Sequence, residues 1–336
     1  MEQELRRSSG VLGAPNLVGD TPVDYSAALR KKPRPFESII QFFLRISGLV
    51  SVLVTAGIVL VLLYDAWIFF MRPEVTLANF LTGTAWQPSI SLFGIFPLLN
   101  ATMLTSIIGL TFALPVGIMI AIFLSEYASP RVRGILKPIL EILAGIPTVV
   151  FGFFALGFVT PILQNIFGKN TVEIFNVASA GLVIGILIIP LVSSMSEDAL
   201  SAVPNALREG SYAMGATKLE TAVRVVVPAA LSGLAAAAIV AMSRAVGETM
   251  VVAIAAGSGP RNFGSWNEAL TNLNFLNPFK AAETMTGHIV RISGGDLTYE
   301  SIQYDSIFAI ALTLFLMTLV LNLISRWLVR RYRQEY

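Results

Sequence analysis

The chain has 336 residues, 55% of them hydrophobic and only 13% charged, a balance that excludes an ordinary soluble domain and marks an integral membrane protein. The absence of cysteine excludes disulfides, thiolate metal sites and thiol nucleophiles, and a single histidine, His288, argues against a histidine metal centre. A net charge of +2 is too small to point to nucleic acid.

Residues 1–38 read as a disordered cytoplasmic tail, with Arg6, Arg7, Arg30, Lys31, Lys32 and Arg34 around a polar "SSGVLGAPNLVGDTP". The first apolar run, a membrane anchor over 39–72, starts too late and continues too long for a cleaved secretory leader. A bilayer core of about 30 Å needs about 20 apolar residues in a helix. Six segments supply them: 44–70, 97–123, 138–162, 177–196, 227–256 and 305–327. The third contains Gly145, Pro147 and Gly152, so a break within it is open. Six spans put both termini on one side. The segments assigned to that side carry 17 Lys and Arg residues against five on the other, which predicts that both termini are cytoplasmic.

Between spans four and five lies "REGSYAMGATKLETAVRVVVPAAL". Glu209 to Met214 suits a short helix with its acidic residue in the first turn, Gly215 supplies a turn, "TKLETAVRVV" resumes helix, and Pro228 stands where the next span can begin. Two short helices at an angle form either a cytoplasmic knob that fits a groove on a soluble partner or an interfacial pair that only connects two spans. Inside the fifth span, Arg244 and Glu248 share one helical face. They are either a structural ion pair or a guanidinium fork for an oxyanion, tempered by a carboxylate so that the ion can leave. Gly145, Pro147, Gly152 and Gly247 either permit close helix packing or expose backbone amides to a passing anion. Glu141 is either a path residue near the cytoplasm or, the favoured reading, a partner of Lys137 at i,i+4; Glu197 and Asp198 are expected to cap the first helix of the loop, and His288 to be a solvated residue of the 257–304 loop. That loop and the 85–94 segment are either surfaces for a substrate-delivering protein or ordinary exposed connections.

No Gly-x4-Gly-Lys-Ser/Thr loop occurs, so ATP hydrolysis by that route is excluded on this chain. An ion-gradient transporter would call for more acidic residues within the membrane and for symmetric halves, and a membrane enzyme for a nucleophile or metal cluster; none of these is evident.

The spacing Glu209-x5-Gly215-x9-Val225-x-Val227-Pro228 resembles the permease signature of ATP-binding-cassette (ABC) importers, with Glu209, Gly210 and Ser211 where the family has a Glu-Ala-Ala triplet. "EILAGIPTVVFGF" at 141–153 and "SRAVGETMVVA" at 243–253 resemble the phosphate-importer branch, PstC type, and the similarity runs over about 93–330. The resemblance implies an all-α, multi-pass fold of about six transmembrane helices, the type I ABC importer permease fold. It places a permease domain at 93–331 and a cytoplasmic coupling helix between spans four and five. Glu209, Gly210, Ser211, Tyr212, Ala213, Met214, Gly215, Ala216 and Pro228 would form the coupling element, and Arg244 and Glu248 the substrate path. The implied protein is not an enzyme: ATP and Mg would be bound by two copies of a PstB-type subunit. A PstA-type sister permease and an extracytoplasmic PstS-type phosphate-binding protein complete the expected partners, in a bacterial or archaeal plasma membrane. A permease for molybdate, sulfate or phosphonate is the alternative.

Overall fold

The computed structural model describes residues 35–295 and 301–332. Residues 1–34 of the expected tail, and residues 296–300 of the 257–304 loop, lie outside them. The chain divides into two compact units, Met1–Gly57 and Ile58–Tyr336. The described part of the first is helical and exposes large apolar side chains such as Phe42, Leu49 and Val52, as expected of a surface whose solvent is lipid. It belongs to α1 (Pro35–Phe70), and every other described element lies in the second unit.

There the chain runs through α2 (Leu77–Thr82), whose first turn is capped by Thr76, and a hairpin of β1 (Trp86–Gln87) and β2 (Leu92–Phe93), with Trp86 opposite Phe93. A long helix, α3 (Phe96–Ile122), continues into a π-turn over Phe123–Tyr127. Then come α4 (Pro130–Ala144), α5 (Thr148–Phe154), a second π-turn at Ala155–Val159, α6 (Thr160–Phe167) and α7 (Val177–Ser201). The polar loop forms α8 (Asn205–Ala213) and α9 (Lys218–Thr221), and a third π-turn at Ala222–Val226 leads into α10 (Val227–Ala229). The remaining helices are α11 (Leu231–Val246), α12 (Met250–Ala255), α13 (Trp266–Leu270), α14 (Met285–Ser293) and α15 (Ile302–Tyr332).

Among the described residues, five helical stretches are long and apolar enough to cross a membrane: Phe36–Phe70, Phe96–Tyr127, Thr148–Phe167, Val177–Ser201 and Ile302–Arg331. A sixth is made by Lys218–Ala229 with Leu231–Val246 if that pair, bent by 73°, counts as one. The all-α fold of about six spans therefore stands, with two boundaries corrected. The third span is Thr148–Phe167, not 138–162, because Pro147 takes an extended conformation (ψ 133°) and leaves α4 as a separate, amphipathic helix. The fifth is not one rod over 227–256: it bends at Ala230 and stops again at Gly247–Thr249 before α12.

The core is built around α7, the most buried of these spans. It lies parallel to α3, and the backbones meet over glycines. A Cβ on Gly181 would stand 2.9 Å from the carbonyl oxygen of Thr105, and one on Gly185 would stand 2.8 Å from that of Gly109. Further along, Gly117 faces Val192 at similarly close range. Where lipid removes the hydrophobic drive between helices, such small-residue contacts let dispersion and backbone dipoles take over. Gly152 of α5 seats the side chain of Ile254 of α12 in the same way, so of its two sequence readings the packing one has a physical counterpart.

Gly185→Ala is expected to destabilise the detergent-solubilised protein by about 1–3 kcal/mol, the usual cost of overpacking. Gly134→Ala, on α4 with open space around it, should be neutral or slightly stabilising; thermal unfolding of the two variants side by side checks this.

Candidate functional site

Arg244 lies in the last turn of α11, where a cation is favoured by the exposed carbonyls of the helix end. The helix stops at Gly247, Glu248 enters the break, and α12 restarts at Met250. This interruption buries the Glu248 side chain, 3% exposed, while Arg244 stays 50% exposed. Their N···O separation is 3.6 Å, an ion pair too long for a hydrogen bond. The Glu248 carbonyl oxygen accepts a hydrogen bond from Thr286 Oγ1 at 2.8 Å, which ties the break to α14.

Arg244 lines a cavity of about 360 Å³ whose walls come from α4, α5 and α7. Most of the lining is apolar, and its other charged groups are Lys137, Glu141 and Glu197. Glu197 corrects the sequence expectation: it lies inside α7, fully buried, instead of capping the loop helix, and Asp198 follows it within the same helix. A carboxylate there needs compensation. Arg133 pairs with its Oε1, and the Lys137 ammonium approaches Oε2 at 3.0 Å. Lys137 therefore engages Glu197 and not Glu141, which faces the cavity.

At the C-terminal end of α7 the polar loop forms two helical arms. The first, α8, begins at Asn205 after Pro204, four residues earlier than expected, so Glu209 sits mid-helix and exposed. Gly215 has φ +84°, a left-handed turn that glycine adopts without strain. The second arm is fixed by a capping box in which Thr217 Oγ1 accepts from Glu220 N and the Glu220 carboxylate accepts from Thr217 N. Ser211 and Thr221 hydroxyls join the arms at 2.9 Å, and Ala216 N donates to Ser211 O. Gly210 and Ala213 are exposed, as are the large apolar side chains of Tyr212, Met214, Leu219 and Val223. Pro228 falls in α10, within the bent pair and ahead of the 73° turn at Ala230, so α11 starts beyond it.

Arg208 escaped the sequence reading. It forms a nearly buried pair with Glu126, 82 positions away, a separation no local pattern reveals.

At the other end of α7, His288 is not a solvated loop residue but is buried on α14. The indole N–H of Trp86 donates to His288 Nε2 at 3.1 Å. Because indole is a donor only, the ring proton sits on Nδ1 and is donated to Glu283 Oε2 at 2.9 Å. Arg291 closes the network through Nε to Glu283 Oε1 at 2.5 Å. Burial pushes the Glu283 carboxyl up, but hydrogen bonds from His288 and Arg291 outweigh it and hold the group below its ordinary value of 4.5. Hydrogen bonding to Glu283 in turn raises Arg291.

A family described as "binding-protein-dependent transport system inner membrane component" matches residues 113–334. The chain belongs to that family. Among curated relatives, a probable ABC transporter permease, YqgH of Bacillus subtilis, is 32% identical over 264 residues, covering 78% of this chain and 81% of the relative. The phosphate transport system permease PstC of Mesorhizobium japonicum is 29% identical, with 75% and 78% covered. PstC of Haemophilus influenzae is 28% identical, with 89% and 94% covered. A chain of a bacterial alginate ABC transporter, crystallised with its alginate-bound periplasmic protein, superposes with a TM-score of 0.55 at 15% identity, covering 90% of this chain and 99% of that one. The fold is thus that of type I ABC importer permeases, and the protein is a multi-pass inner-membrane permease of a system that includes a binding protein and an ATPase subunit.

A carboxylate whose folded pKa is depressed stabilises the native state above its unfolded value and loses that contribution as pH falls through the folded one. The Glu283 contribution to stability should therefore be complete above the ordinary glutamate value of 4.5 and be lost as pH falls below it, so Glu283→Gln should flatten the acid limb in a pH series of thermal melts.

Proposed function

We propose that this permease moves inorganic phosphate into the cytoplasm, driven by ATP hydrolysis on a separate subunit. The observation that carries the reading is the break between α11 and α12, which presents a half-exposed guanidinium to a cavity and keeps its carboxylate partner buried behind it. A guanidinium is a planar fork of donors matched to tetrahedral oxyanions. In a mostly apolar cavity it supplies attraction, and the Glu248 charge at 3.6 Å keeps that attraction from becoming a trap. The names of the PstC relatives support phosphate among the oxyanions.

In this reading residues 93–331 are the permease domain, 39–72 an anchor span and 1–38 a cytoplasmic tail. The α8–α9 knob faces the cytoplasm, on the side with the excess of Lys and Arg. There Tyr212 and Met214 dock on a PstB-type subunit, two copies of which bind ATP and Mg. A PstA-type permease completes the tunnel, and a PstS-type protein delivers phosphate to the opposite face.

The test is uptake of radiolabelled phosphate into vesicles containing the reconstituted complex, with molybdate, sulfate and phosphonate as competitors. Arg244→Gln should lower uptake about ten- to a hundredfold, as expected from losing charge-assisted hydrogen bonds of roughly 1.5–3 kcal/mol, while ATP hydrolysis persists. Glu248→Gln should slow turnover and tighten phosphate retention. Unchanged uptake in Arg244→Gln, or competition by sulfate and molybdate as strong as by phosphate itself, would refute the phosphate assignment.

A further inference from the structure

We propose that Arg208 is the positioning residue through which motion of the α8–α9 knob reaches the membrane helices, an inference that rests on the coupling reading above. Its neighbour Glu209 is exposed, as are Tyr212 and Met214, so these side chains are available to a partner. Arg208 points the other way: its side chain is 13% exposed, and that of its partner Glu126 is 5% exposed.

The guanidinium holds three elements at once. Nε and one terminal nitrogen grip Glu126, at 3.2 and 2.9 Å to Oε1, and Glu126 sits in the π-turn that ends α3. The same terminal nitrogen donates to the carbonyl of Leu200 at 2.8 Å, in the last turn of α7. The other donates to the carbonyl of Val203 at 2.5 Å, just beyond that helix. Arg208 itself belongs to the first turns of α8. One side chain thus satisfies carbonyls released at the end of α7 and neutralises a nearly buried carboxylate at the end of α3.

The position matters because of what α3 and α7 do elsewhere. Their backbones are in close contact over glycines, which leaves little room for one to slide past the other, and one turn before Leu200 the α7 residue Glu197 meets the cavity that contains Arg244. A displacement of α8 passes through Arg208 to the ends of both helices and along α7 to the cavity wall. Leu207 packs against an apolar cluster that includes Leu200, Val203 and Val226 and holds the base of the knob, but such contacts are non-directional and can slide; the guanidinium fork fixes an angle.

The experiment uses the whole complex of permease, ATPase subunit and binding protein in vesicles of phosphatidylethanolamine and phosphatidylglycerol, and reads labelled phosphate moved per ATP hydrolysed. Arg208→Gln should lower that ratio at least tenfold and remove the acceleration of hydrolysis by phosphate-loaded binding protein, while the ATPase subunit stays bound and basal hydrolysis continues. Arg208→Lys, a point charge without the fork, should recover part of the ratio, a graded rescue that a merely structural role would not produce. Glu126→Gln, which leaves the carbonyl bonds of Arg208 in place, should lower the ratio and decides the matter if Arg208→Gln fails to assemble. A wild-type ratio in the assembled variants, even with less complex recovered, overturns the inference alone. A wild-type complex that moves no phosphate with ATP overturns the functional reading, and this inference with it.

Discussion

Among lipid tails as apolar as leucine, burying hydrocarbon gives helices little reason to associate, and this permease depends on close backbone approach instead. The contact of α3 with α7 over Gly109, Gly117, Gly181 and Gly185 is the clearest case. It sets α7 at the centre of the core, and three other features follow from that placement. The N-terminal end of α7 receives the long loop through hydrogen bonds from Val177 and Ala178 to the carbonyls of Lys280 and Pro278. Its middle forms a wall of the Arg244 cavity, and its last turns anchor both α4, through Glu197, and the knob, through Leu200. A helix that serves a packing role, a cavity and a joint has little freedom to tilt independently.

The charges within and beside the spans follow a consistent physical logic. Glu197 takes two cations from α4, Glu126 takes the fork of Arg208, and Glu283 is compensated by Arg291 and by a histidine whose tautomer Trp86 dictates. Each of these carboxylates is held at or below 3.1 Å by its partner, as a low-dielectric surrounding demands. The Arg244–Glu248 pair is looser and more open to solvent on the cationic side. That contrast separates a group that holds structure from one with donors to offer.

Hydropathy made the spans legible because it measures length and apolarity, and those properties did place five long helices. It does not record direction. The extended Pro147 therefore supplies the break that the third segment had left open, with α4 as a separate helix, and the bend at Ala230 turns one expected rod into a broken one. Gly215 was readable because one backbone conformation calls for that residue, whereas the start of α8 was misread when Glu209 was placed in a first turn that Asn205 and Ala206 occupy. Arg244 and Glu248 were visible because their pairing is local to one stretch of sequence. Glu197, Arg208 and His288 were not, since their partners Arg133, Glu126 and Trp86 lie 64, 82 and 202 positions away. What was missed is long-range charge compensation, and composition carries no trace of it.

The three π-turns carry a consequence of their own. Each accommodates one residue beyond the regular α-helical count by widening a single turn, so the residue numbering shifts by one while the helix beyond keeps its bearing about the axis. The turn at Ala222–Val226 lies between the knob and the bend into α11. It works as an expansion joint: it takes up an extra residue between the knob and the bend without swinging the helix that bears Arg244. A lineage that lost one residue there would close the turn to regular α-helix and keep the knob's aim, whereas the same loss within regular helix would swing everything beyond it by about 100°.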